Sequence, residues 1–284
     1  MKRFIKQLIP PIAINFYIKL LAAKKKTNNI ITDEIIAWTG NYSSWQQAKE
    51  HTTGYDDKEI LEKCKNALLK VKNGEAKYER DSVLFDEIEY SWPLLAALQR
   101  CALENNNTLC VLDFGGSLGS TYFQNKSFLS GVKVSWNIVE QKIFVETGKK
   151  FFEDETLKFF YTIEESLQHQ QPNVIILSSV LQYLPGPYDF IQKLLMYNFS
   201  HIILDRTGFE KKHGRDVLTV QNVPALIYKA SYPCWFFNEQ KLINAFAAKY
   251  DVVSGSADSF TSDFIHGDNH FYWKGFFLEN KNGQ

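Results

Sequence analysis

The sequence has little cysteine and no excess of charge. Its 284 residues include only four cysteines, and none forms a pair with the spacing of a metal-binding motif. Scattered in mostly apolar surroundings, they indicate reduced thiols in the core of a cytosolic protein. Thirty-two lysines and arginines balance 32 aspartates and glutamates. This balance gives no electrostatic footprint for nucleic acid over the whole chain, so no nucleic-acid partner is expected.

Long apolar runs and repeats are also missing. The strongest apolar segment, residues 8–23, is interrupted by two prolines, Asn15 and Lys19, and is short for a membrane span. No secretory cleavage site follows it. It is either a helix or partly ordered tail on its own domain, or an in-plane helix. In the second case basic residues within 1–26 would make peripheral contact with an anionic inner membrane surface.

The chain is long enough for one large domain or a domain with an extension, and its 45% hydrophobic content suits a globular core. Residues 1–107 are expected to form a helical extension without a sheet of its own. Ser44 and Gln47 have the spacing of a helix capping box. Residues 60–71 follow a helical period, and the apolar residues of 83–98 predict two further helical segments separated at a proline.

From residue 108 onward, apolar runs alternate with helical periodicity, which is typical of a βαβ array. Residues 108–284 are therefore predicted to form an α/β domain. The last two strands have no convincing helix between them, which indicates an antiparallel hairpin at the sheet edge. The predicted strands cover residues 109–113, 132–139, 157–161, 174–177, 201–204, 250–253 and 270–278.

A glycine-rich turn follows the first of these strands. Asp113 ends the apolar run, and Gly115, Gly116 and Gly119 come directly after it. Glycine lets the backbone bend and approach a ligand closely, and a helix that starts there aims free N–H groups at that ligand. Nucleotide-type cofactors are held in this way at the first strand of an open α/β sheet.

Two acids indicate which cofactor the turn would hold. A carboxylate at Asp113 would repel a pyrophosphate but attract a sulfonium or an α-amino group, which favours S-adenosylmethionine over NAD. Glu140, at the end of the second strand, can accept hydrogen bonds from ribose hydroxyls and would repel a 2′-phosphate. The alternative for Glu140 is a cap on the next helix.

These residues carry a resemblance to a known family. Residues 111–119 resemble the first motif of class I S-adenosylmethionine-dependent methyltransferases, Glu140 matches their ribose-binding acid, and residues 177–184 resemble the segment that closes over the cofactor. The resemblance covers about residues 108–280. It implies a Rossmann-like, mostly parallel sheet with an antiparallel last strand. Ser117 replaces a glycine of the usual turn. An acid or asparagine typical of amine methyltransferases is absent after the fourth strand, which argues against methylation of nucleobase amino groups.

The resemblance also implies a role for each matching residue, with S-adenosyl-L-methionine as cofactor. The implied cofactor-binding set is Asp113, Gly115, Gly116, Ser117 and Gly119 at the methionine part, Glu140 at the ribose, Thr162 or Ile163 at the adenine, Ser178 and Ser179 at the edge, and Leu181 as a lid.

Further stretches resemble a little-characterised family of bacterial methyltransferases associated with surface-polysaccharide gene clusters. They are residues 42–45 with 54–56, 205–207, and 221–224 with 231–233. This association predicts a cytoplasmic enzyme of polysaccharide biosynthesis that methylates an oxygen of a saccharide or glycolipid-type acceptor. The alternatives are a non-catalytic S-adenosylmethionine-binding module and an NAD-dependent sugar oxidoreductase.

The acceptor site is predicted within residues 205–235, a stretch too long for a plain connection after the fifth strand. Asp205 and His213 are the candidate general bases. Alternatively, Asp205 caps a helix or pairs with Arg206, and His213 is an exposed loop residue.

Other candidates for the acceptor site are cationic or aromatic. Arg206 and Arg215 are candidates to hold a phosphate or carboxylate of the acceptor. Three aromatic residues of the extension would form a sugar-stacking lid or, alternatively, serve packing: Tyr42, Trp45 and Tyr55. His266 and His270 flank Asp268, but without a closed ligand spacing no metal is expected.

Overall fold

The computed structural model of the chain describes residues 37–52, 58–80, 82–223, 230–257, 263–266 and 268–282. The predictions for residues 1–26 and for Tyr55 lie outside these ranges, as does the side chain of His266. None of the helices within the described ranges is both long and apolar enough to cross a bilayer.

The described part of the chain contains strands and helices that alternate from residue 108 onward. The strands are β1 Ala37–Thr39, β2 Tyr78–Arg80, β3 Val83–Phe85, β4 Thr108–Phe114, β5 Lys133–Val139, β6 Leu157–Phe160, β7 Val174–Ser178, β8 His201–Glu210, β9 Val217–Val223, β10 Ala230–Phe236, β11 Tyr250–Ala257, β12 Phe264–His266 and β13 Asn269–Asn280. The helices are α1 Trp45–Lys49, α2 Lys58–Lys72, α3 Trp92–Glu104, α4 Ser120–Asn125, α5 Lys142–Phe151, α6 Ile163–His169, α7 Pro187–Leu194 and α8 Glu239–Phe246.

The main sheet has the order β11-β13-β8-β7-β4-β5-β6, with β12 paired to β13. Strands β4 to β8 run parallel to one another. The last strand, β13, is antiparallel to both β8 and β11. The predicted α/β fold, with a mostly parallel sheet and an antiparallel last strand, is therefore confirmed, as is the hairpin at the sheet edge.

The central strands β4 and β7 are buried on both faces because helices cover each side. Along β4, Val111 packs into a core with α2 to α5, whereas its neighbour Leu112 packs into a second core with α6 to α8. Successive side chains of a strand point to opposite faces, so a run of apolar residues contributes to both cores. This two-layer burial fixes the carboxyl ends of β4, β5 and β7 at one edge.

The N-terminal extension is only partly as predicted. Helix α1 begins with the expected cap, since the N–H of Gln47 donates to Ser44 Oγ at 3.2 Å. Helices α2 and α3 are also confirmed. The expectation that this region lacks strands is wrong: β2 pairs with β3, and β1 pairs with β9. A helix was predicted at residues 83–88, but such a short apolar run does not distinguish a helix from a strand.

The predicted substrate loop after β8 is also different in the structure. Strand β8 continues to Glu210, and β9 and β10 form an antiparallel pair that β1 extends to a three-stranded sheet. The β-branched residues Val217, Thr219 and Val220 favour a strand here, and all three are buried. This small sheet packs beside the end of the main sheet instead of forming an open loop.

Candidate functional site

A cavity of about 730 Å³ opens at the carboxyl ends of β4, β5 and β7 and beside the middle of β8. The turn after β4 lines it together with the extension and residues of β9 and β10. Ligands of open α/β sheets bind at this edge, where the strand order reverses direction around the first strand. The structure brings ten of the predicted site residues to this cavity: Trp45, Asp113, Gly115, Gly116, Ser117, Glu140, Ser178, Ser179, Asp205 and Arg206.

The glycine turn packs too closely for side chains. A Cβ on Gly115 would lie 2.5 Å from Val180 Cγ2, and one on Gly116 would lie 2.6 Å from Asp113 Cγ. Gly115 also has a φ of +73°, which favours glycine. Ser117 adopts a positive φ of 53° although it has a side chain. The turn therefore packs against Val180 at Gly115 and against the carboxyl group of Asp113 at Gly116.

Asp113 is almost completely buried, with 1% of its surface exposed. Trp136 Nε1 donates a hydrogen bond to Asp113 Oδ2 at 3.1 Å. Burial raises the pKa of Asp113 to about 7, a shift that the hydrogen bond from Trp136 and the charge of Arg206 oppose. A cationic ligand beside this carboxyl would favour its ionised form and would be attracted by it.

Glu140 ends β5 at the same edge. Its Oε2 accepts a hydrogen bond from the N–H of Gln141 at 2.6 Å. Burial raises the pKa of Glu140, whereas backbone hydrogen bonds from Gln141 and Ser117 lower it. The carboxylate therefore contacts the start of α5 and the glycine turn while it lines the cavity. Glu140 can therefore cap the next helix, as one prediction has it, and still contact a ribose in the cavity, as the other has it.

Asp205 lies at the centre of a polar network between β7, β8 and α3. Ser178 Oγ donates to Asp205 Oδ2 at 2.7 Å, and Ser91 Oγ donates to Oδ1 at 3.4 Å. Arg206 Nε lies 3.5 Å from Asp205 Oδ2, so the alternative of an Asp205–Arg206 pair is present. Asp205 also lines the cavity, and the hydrogen bond to its Oδ1 atom is the longer of these two.

Part of the cavity lining is aromatic. We call Trp45, Tyr183 and Tyr232 the aromatic wall. Tyr183 donates its hydroxyl to Gln221 Oε1 at 2.9 Å and meets the ring of Tyr232 edge-on at 5.1 Å. Trp45 lines the same cavity and stacks on Trp235 at 6.5 Å. Sequence reasoning missed Tyr183 as a lining residue, because only the pairing of β9 with β10 brings Gln221 and Tyr232 beside it.

The extension adds charged residues that the sequence did not single out. Glu79 of β2 is buried, and it accepts hydrogen bonds from Ser120 Oγ and, at 3.1 Å, from the N–H of Ser82. Arg80 and Lys49 also line the cavity. No sequence signal indicated these positions, since they approach the turn only through the tertiary placement of a three-residue strand.

Several predicted residues do not line the cavity. His213 and Arg215 are exposed, and His213 Nε2 lies 3.1 Å from the backbone oxygen of Asp268. Tyr42 instead packs beside His51, with ring centroids 5.3 Å apart. The remaining members of this group are Gly119, Thr162, Ile163 and Leu181.

These last four residues have structural surroundings of their own. Gly119 precedes α4, Thr162 caps α6 through the N–H of Glu165, and Ile163 and Leu181 are buried in the core. At the end of β6 the cavity is lined by Tyr161, which is 41% exposed. An aromatic residue at the end of a predicted strand was the signal that could have identified it.

Among the residues considered for a metal, the described side chains of His270 and Asp268 have separate partners. His270 Nε2 lies 2.9 Å from Asp263 Oδ2, and the carboxylate of Asp268 pairs with Lys212. Both pairs lie outside the cavity lining.

No protein-family model and no curated protein matches the sequence. The structure is similar to a Burkholderia thailandensis 1,6-didemethyltoxoflavin N1-methyltransferase holding S-adenosylhomocysteine, with 10% identity, 90% of this chain and 99% of that chain covered, and a TM-score of 0.41. It is similar to a methyltransferase from Clostridium acetobutylicum, with 8% identity, 65% and 89% covered, and a TM-score of 0.42. A third is an amino pentose methyltransferase from Micromonospora echinaspora with bound S-adenosylmethionine, with 10% identity, 66% and 92% covered, and a TM-score of 0.40.

Proposed function

We propose that the chain is an S-adenosylmethionine-dependent methyltransferase. The observation that carries the proposal is the buried carboxyl group of Asp113, packed against Gly116 of the glycine turn near the carboxyl end of the first parallel strand. A pyrophosphate at this position would be repelled by the carboxylate, whereas a sulfonium and an α-ammonium group would be attracted. The charge of the turn therefore favours S-adenosylmethionine over NAD.

The residues around the turn fit the other parts of this cofactor. Glu140 lies at the end of the neighbouring strand, where it can accept hydrogen bonds from ribose hydroxyls. Tyr161, over which Lys149 Nζ lies at 4.7 Å, offers an aromatic ring to a base at the end of β6. When bound, the cofactor supplies an electrophilic methyl group on a positively charged sulfur. The chain has to exclude water, align the acceptor and, for a hydroxyl acceptor, accept a proton.

Asp205 is the proposed general base. It lines the cavity between the glycine turn and the aromatic wall, and its Oδ2 is oriented by Ser178. An acceptor hydroxyl that donates to Oδ1 would lose its proton to a carboxylate held in a fixed direction. His213 lies outside the cavity lining, so the proposal does not include it.

The proposed acceptor is an oxygen of a saccharide or of a glycolipid-type molecule. The aromatic wall supports this choice, because sugar rings stack their C–H faces on aromatic rings while amides hydrogen-bond their hydroxyls. Tyr183, Gln221 and Tyr232 offer these groups in one connected surface. Peripheral contact of residues 1–26 with an inner membrane would bring a lipid-linked acceptor to the site.

Calorimetry followed by transfer assays tests the proposal. We expect S-adenosylmethionine and S-adenosylhomocysteine to bind and NAD not to bind. A labelled methyl group should then appear on a member of a panel of saccharides, nucleotide sugars and lipid-linked saccharides. Binding of NAD alone would contradict the proposal in favour of an oxidoreductase. Binding of S-adenosylmethionine with no transfer to any acceptor would favour a non-catalytic module.

A further inference from the structure

Strand β8 contains an irregularity at the edge of the cavity. Leu204 pairs with Phe276 and Thr207 pairs with Lys274, so two residues of β8, Asp205 and Arg206, lie opposite one residue of β13. That one residue is Gly275. Two residues opposite one define a β-bulge, a feature that is frequent next to functional sites because it changes the direction of a side chain.

The bulge places both charged residues at the cavity. In a regular strand, consecutive side chains point to opposite faces, so Asp205 and Arg206 would be separated by the sheet. Here both line the same cavity, and Arg206 adopts a left-handed φ of 47°. Gly275 permits the arrangement, since a Cβ there would lie 2.9 Å from the backbone oxygen of Leu204.

A buried amide supports the unusual backbone. Gln182 is 1% exposed, and its Nε2 donates to the backbone oxygen of Arg206 at 3.2 Å. The same amide donates to Ser179 Oγ at 3.0 Å, and Ser179 is itself left-handed with a φ of 52°. Left-handed residues with a side chain persist only where the surrounding structure holds them, and they concentrate at functional sites.

The guanidinium group of Arg206 is directed towards the acidic side of the cavity. Its Nε and one terminal nitrogen donate to Ser178 Oγ at 3.3 and 3.2 Å. Its charge lowers the pKa of Asp113, so the two groups interact electrostatically. The other cations that line the cavity, Lys49 and Arg80, belong to the extension.

A methionine moiety needs both signs of charge at this position. Its sulfonium and ammonium groups are attracted by the carboxylates of Asp113, Glu140 and Asp205, but the same carboxylates repel its own carboxylate group. A guanidinium group binds a carboxylate with two charge-assisted hydrogen bonds in a fixed geometry. We propose that Arg206 binds the carboxylate of the methyl donor, and that the bulge exists to direct Arg206 to it.

This assignment rests on the proposed function and differs from the acceptor role expected from the sequence. If Arg206 held an acceptor group, its removal would leave the affinity for the donor unchanged. If Arg206 holds the donor, the effect of its removal depends on whether the ligand has a carboxylate. The two roles are therefore separated by a ligand-binding measurement that needs no acceptor.

The experiment compares S-adenosylhomocysteine with its decarboxylated analogue by calorimetry. For the wild-type protein we expect decarboxylation to weaken binding by about tenfold to a hundredfold, the range typical of a hydrogen bond to a charged group. For Arg206→Gln we expect the two ligands to bind within about threefold of each other. Lys211→Gln, an exposed change just after the same strand, should keep the wild-type difference.

Gly275→Ala provides a second variant in which the guanidinium group is retained. A Cβ at this position disturbs the bulge, so the preference for the carboxylate should decrease although Arg206 is still present. Circular dichroism and thermal unfolding confirm that each variant is folded, and Arg206→Lys, which keeps the charge, should retain part of the preference.

The outcomes separate this inference from the proposed function. An equal preference for the carboxylate in the wild type and in Arg206→Gln would overturn the role of Arg206 while the methyltransferase proposal stands. The same holds if Arg206→Gln changes only the KM for the acceptor. If the wild type binds neither S-adenosylmethionine nor S-adenosylhomocysteine, both proposals are wrong.

Discussion

The segment of β8 that pairs with β7 runs from His201 to Asp205. Charged groups lie at both ends of this segment, and the two ends use them differently. At the amino end, His201 Nε2 lies 3.0 Å from Glu104 Oε2, and Arg100 pairs with Glu104 at 2.7 Å and Glu279 at 2.8 Å. The His201 ring stacks on Phe277 at 5.2 Å. The potential ligand atoms of Glu104, His201 and Glu279 lie within 4.8 Å of one another, but Arg100 already pairs with both carboxylates, which favours an ion-pair cluster over a metal site.

At the carboxyl end, the charges face a cavity and the backbone is strained. Asp205 and Arg206 share a bulge, and Ser179 and Arg206 have positive φ angles. At the amino end Arg100 pairs directly with both carboxylates, whereas at the carboxyl end Asp113 and Glu140 accept hydrogen bonds from the N–H groups of Trp136 and Gln141. A charged pair in regular strand geometry is sufficient to join helix and sheet. Strain together with carboxyl groups of raised pKa indicates a ligand site.

The largest effect is expected on catalysis, from a substitution of Asp205 at the carboxyl end of this segment of β8. Asp205→Asn keeps the shape of the side chain but removes the proposed base, so kcat should fall by about 10²- to 10⁴-fold while the Kd for S-adenosylhomocysteine stays within a few-fold. Glu279→Gln, the matched loss of a carboxylate at the other end, should leave kcat close to the wild-type value. Both are measured with a labelled methyl donor once an acceptor is identified.

His213→Ala belongs in the same assay as a control on the choice of base. Because His213 is exposed outside the cavity lining, its variant should keep wild-type turnover. A large loss in His213→Ala, or none in Asp205→Asn, would count against Asp205 as the base.

The contrast between the two ends also explains what could be predicted from the sequence. The residues of the glycine turn and Glu140 are local signals: each follows an apolar run and is read without knowing which strands pair. The position of Arg206 depends on the register between β8 and β13, which are more than 60 residues apart in the chain. A single sequence contains no record of that register, so the bulge and the direction of the side chain were not predictable.

The extension and the cavity wall follow the same rule. Glu79 and Arg80 reach the site from a strand of three residues whose sequence is too short for a period to show. Leu181 was expected over the cofactor because of the resemblance. In the structure it begins the short 3-10 helix Leu181–Tyr183, and its side chain is buried in the hydrophobic core. Its neighbours Gln182 and Tyr183 carry the contacts to Arg206 and Gln221.

The second largest effect is expected from the turn that packs against Asp113. Gly116→Ala places a methyl group 2.6 Å from the Asp113 carboxyl carbon, and Asp113 is held by Trp136 and cannot move freely. We expect a loss of S-adenosylhomocysteine affinity of about a hundredfold and a destabilisation of ~1–3 kcal/mol, typical of overpacking.

The matched control for the turn is Gly186→Ala, whose new methyl group meets only the exposed end of Asp189 at 3.1 Å. It should bind the ligand like the wild type. Normal affinity in Gly116→Ala would show that the turn does not hold the ligand. Calorimetry and thermal unfolding measure both quantities for the two variants.

The third effect is a pH dependence with opposite signs for binding and for stability. The pKa of Asp113 is raised to about 7, so the folded protein without ligand binds more protons than the unfolded chain between about pH 4 and 7. Its free energy of unfolding therefore receives a contribution that falls as the pH rises through that window, by up to ~1.4 kcal/mol per unit. Cationic S-adenosylmethionine prefers the ionised carboxylate, so its affinity should rise over the same window.

Calorimetry of S-adenosylmethionine between pH 5.5 and 7 measures this dependence, and Asp113→Asn provides the reference. The variant should bind more weakly and lose most of the dependence on pH. A wild-type affinity that is flat across the window would contradict an ionisation of Asp113 coupled to the ligand.

The smallest effect is expected at the amino end, from His201→Phe. His201 is 4% exposed, and among the described residues neither ring nitrogen has a hydrogen-bond partner of good geometry. Burial lowers the pKa of His201, so the unfolded chain binds the extra proton and this group costs stability as the pH falls below about 6.5. A phenyl ring keeps the stacking on Phe277 and removes the titration. The variant should thus stay within ~1 kcal/mol of the wild type at pH 8 and lose less stability on acidification to pH 5, as measured by urea unfolding. Its affinity for S-adenosylhomocysteine should not change, because His201 lies outside the cavity lining; a changed affinity would show that the two ends of this segment of β8 are coupled.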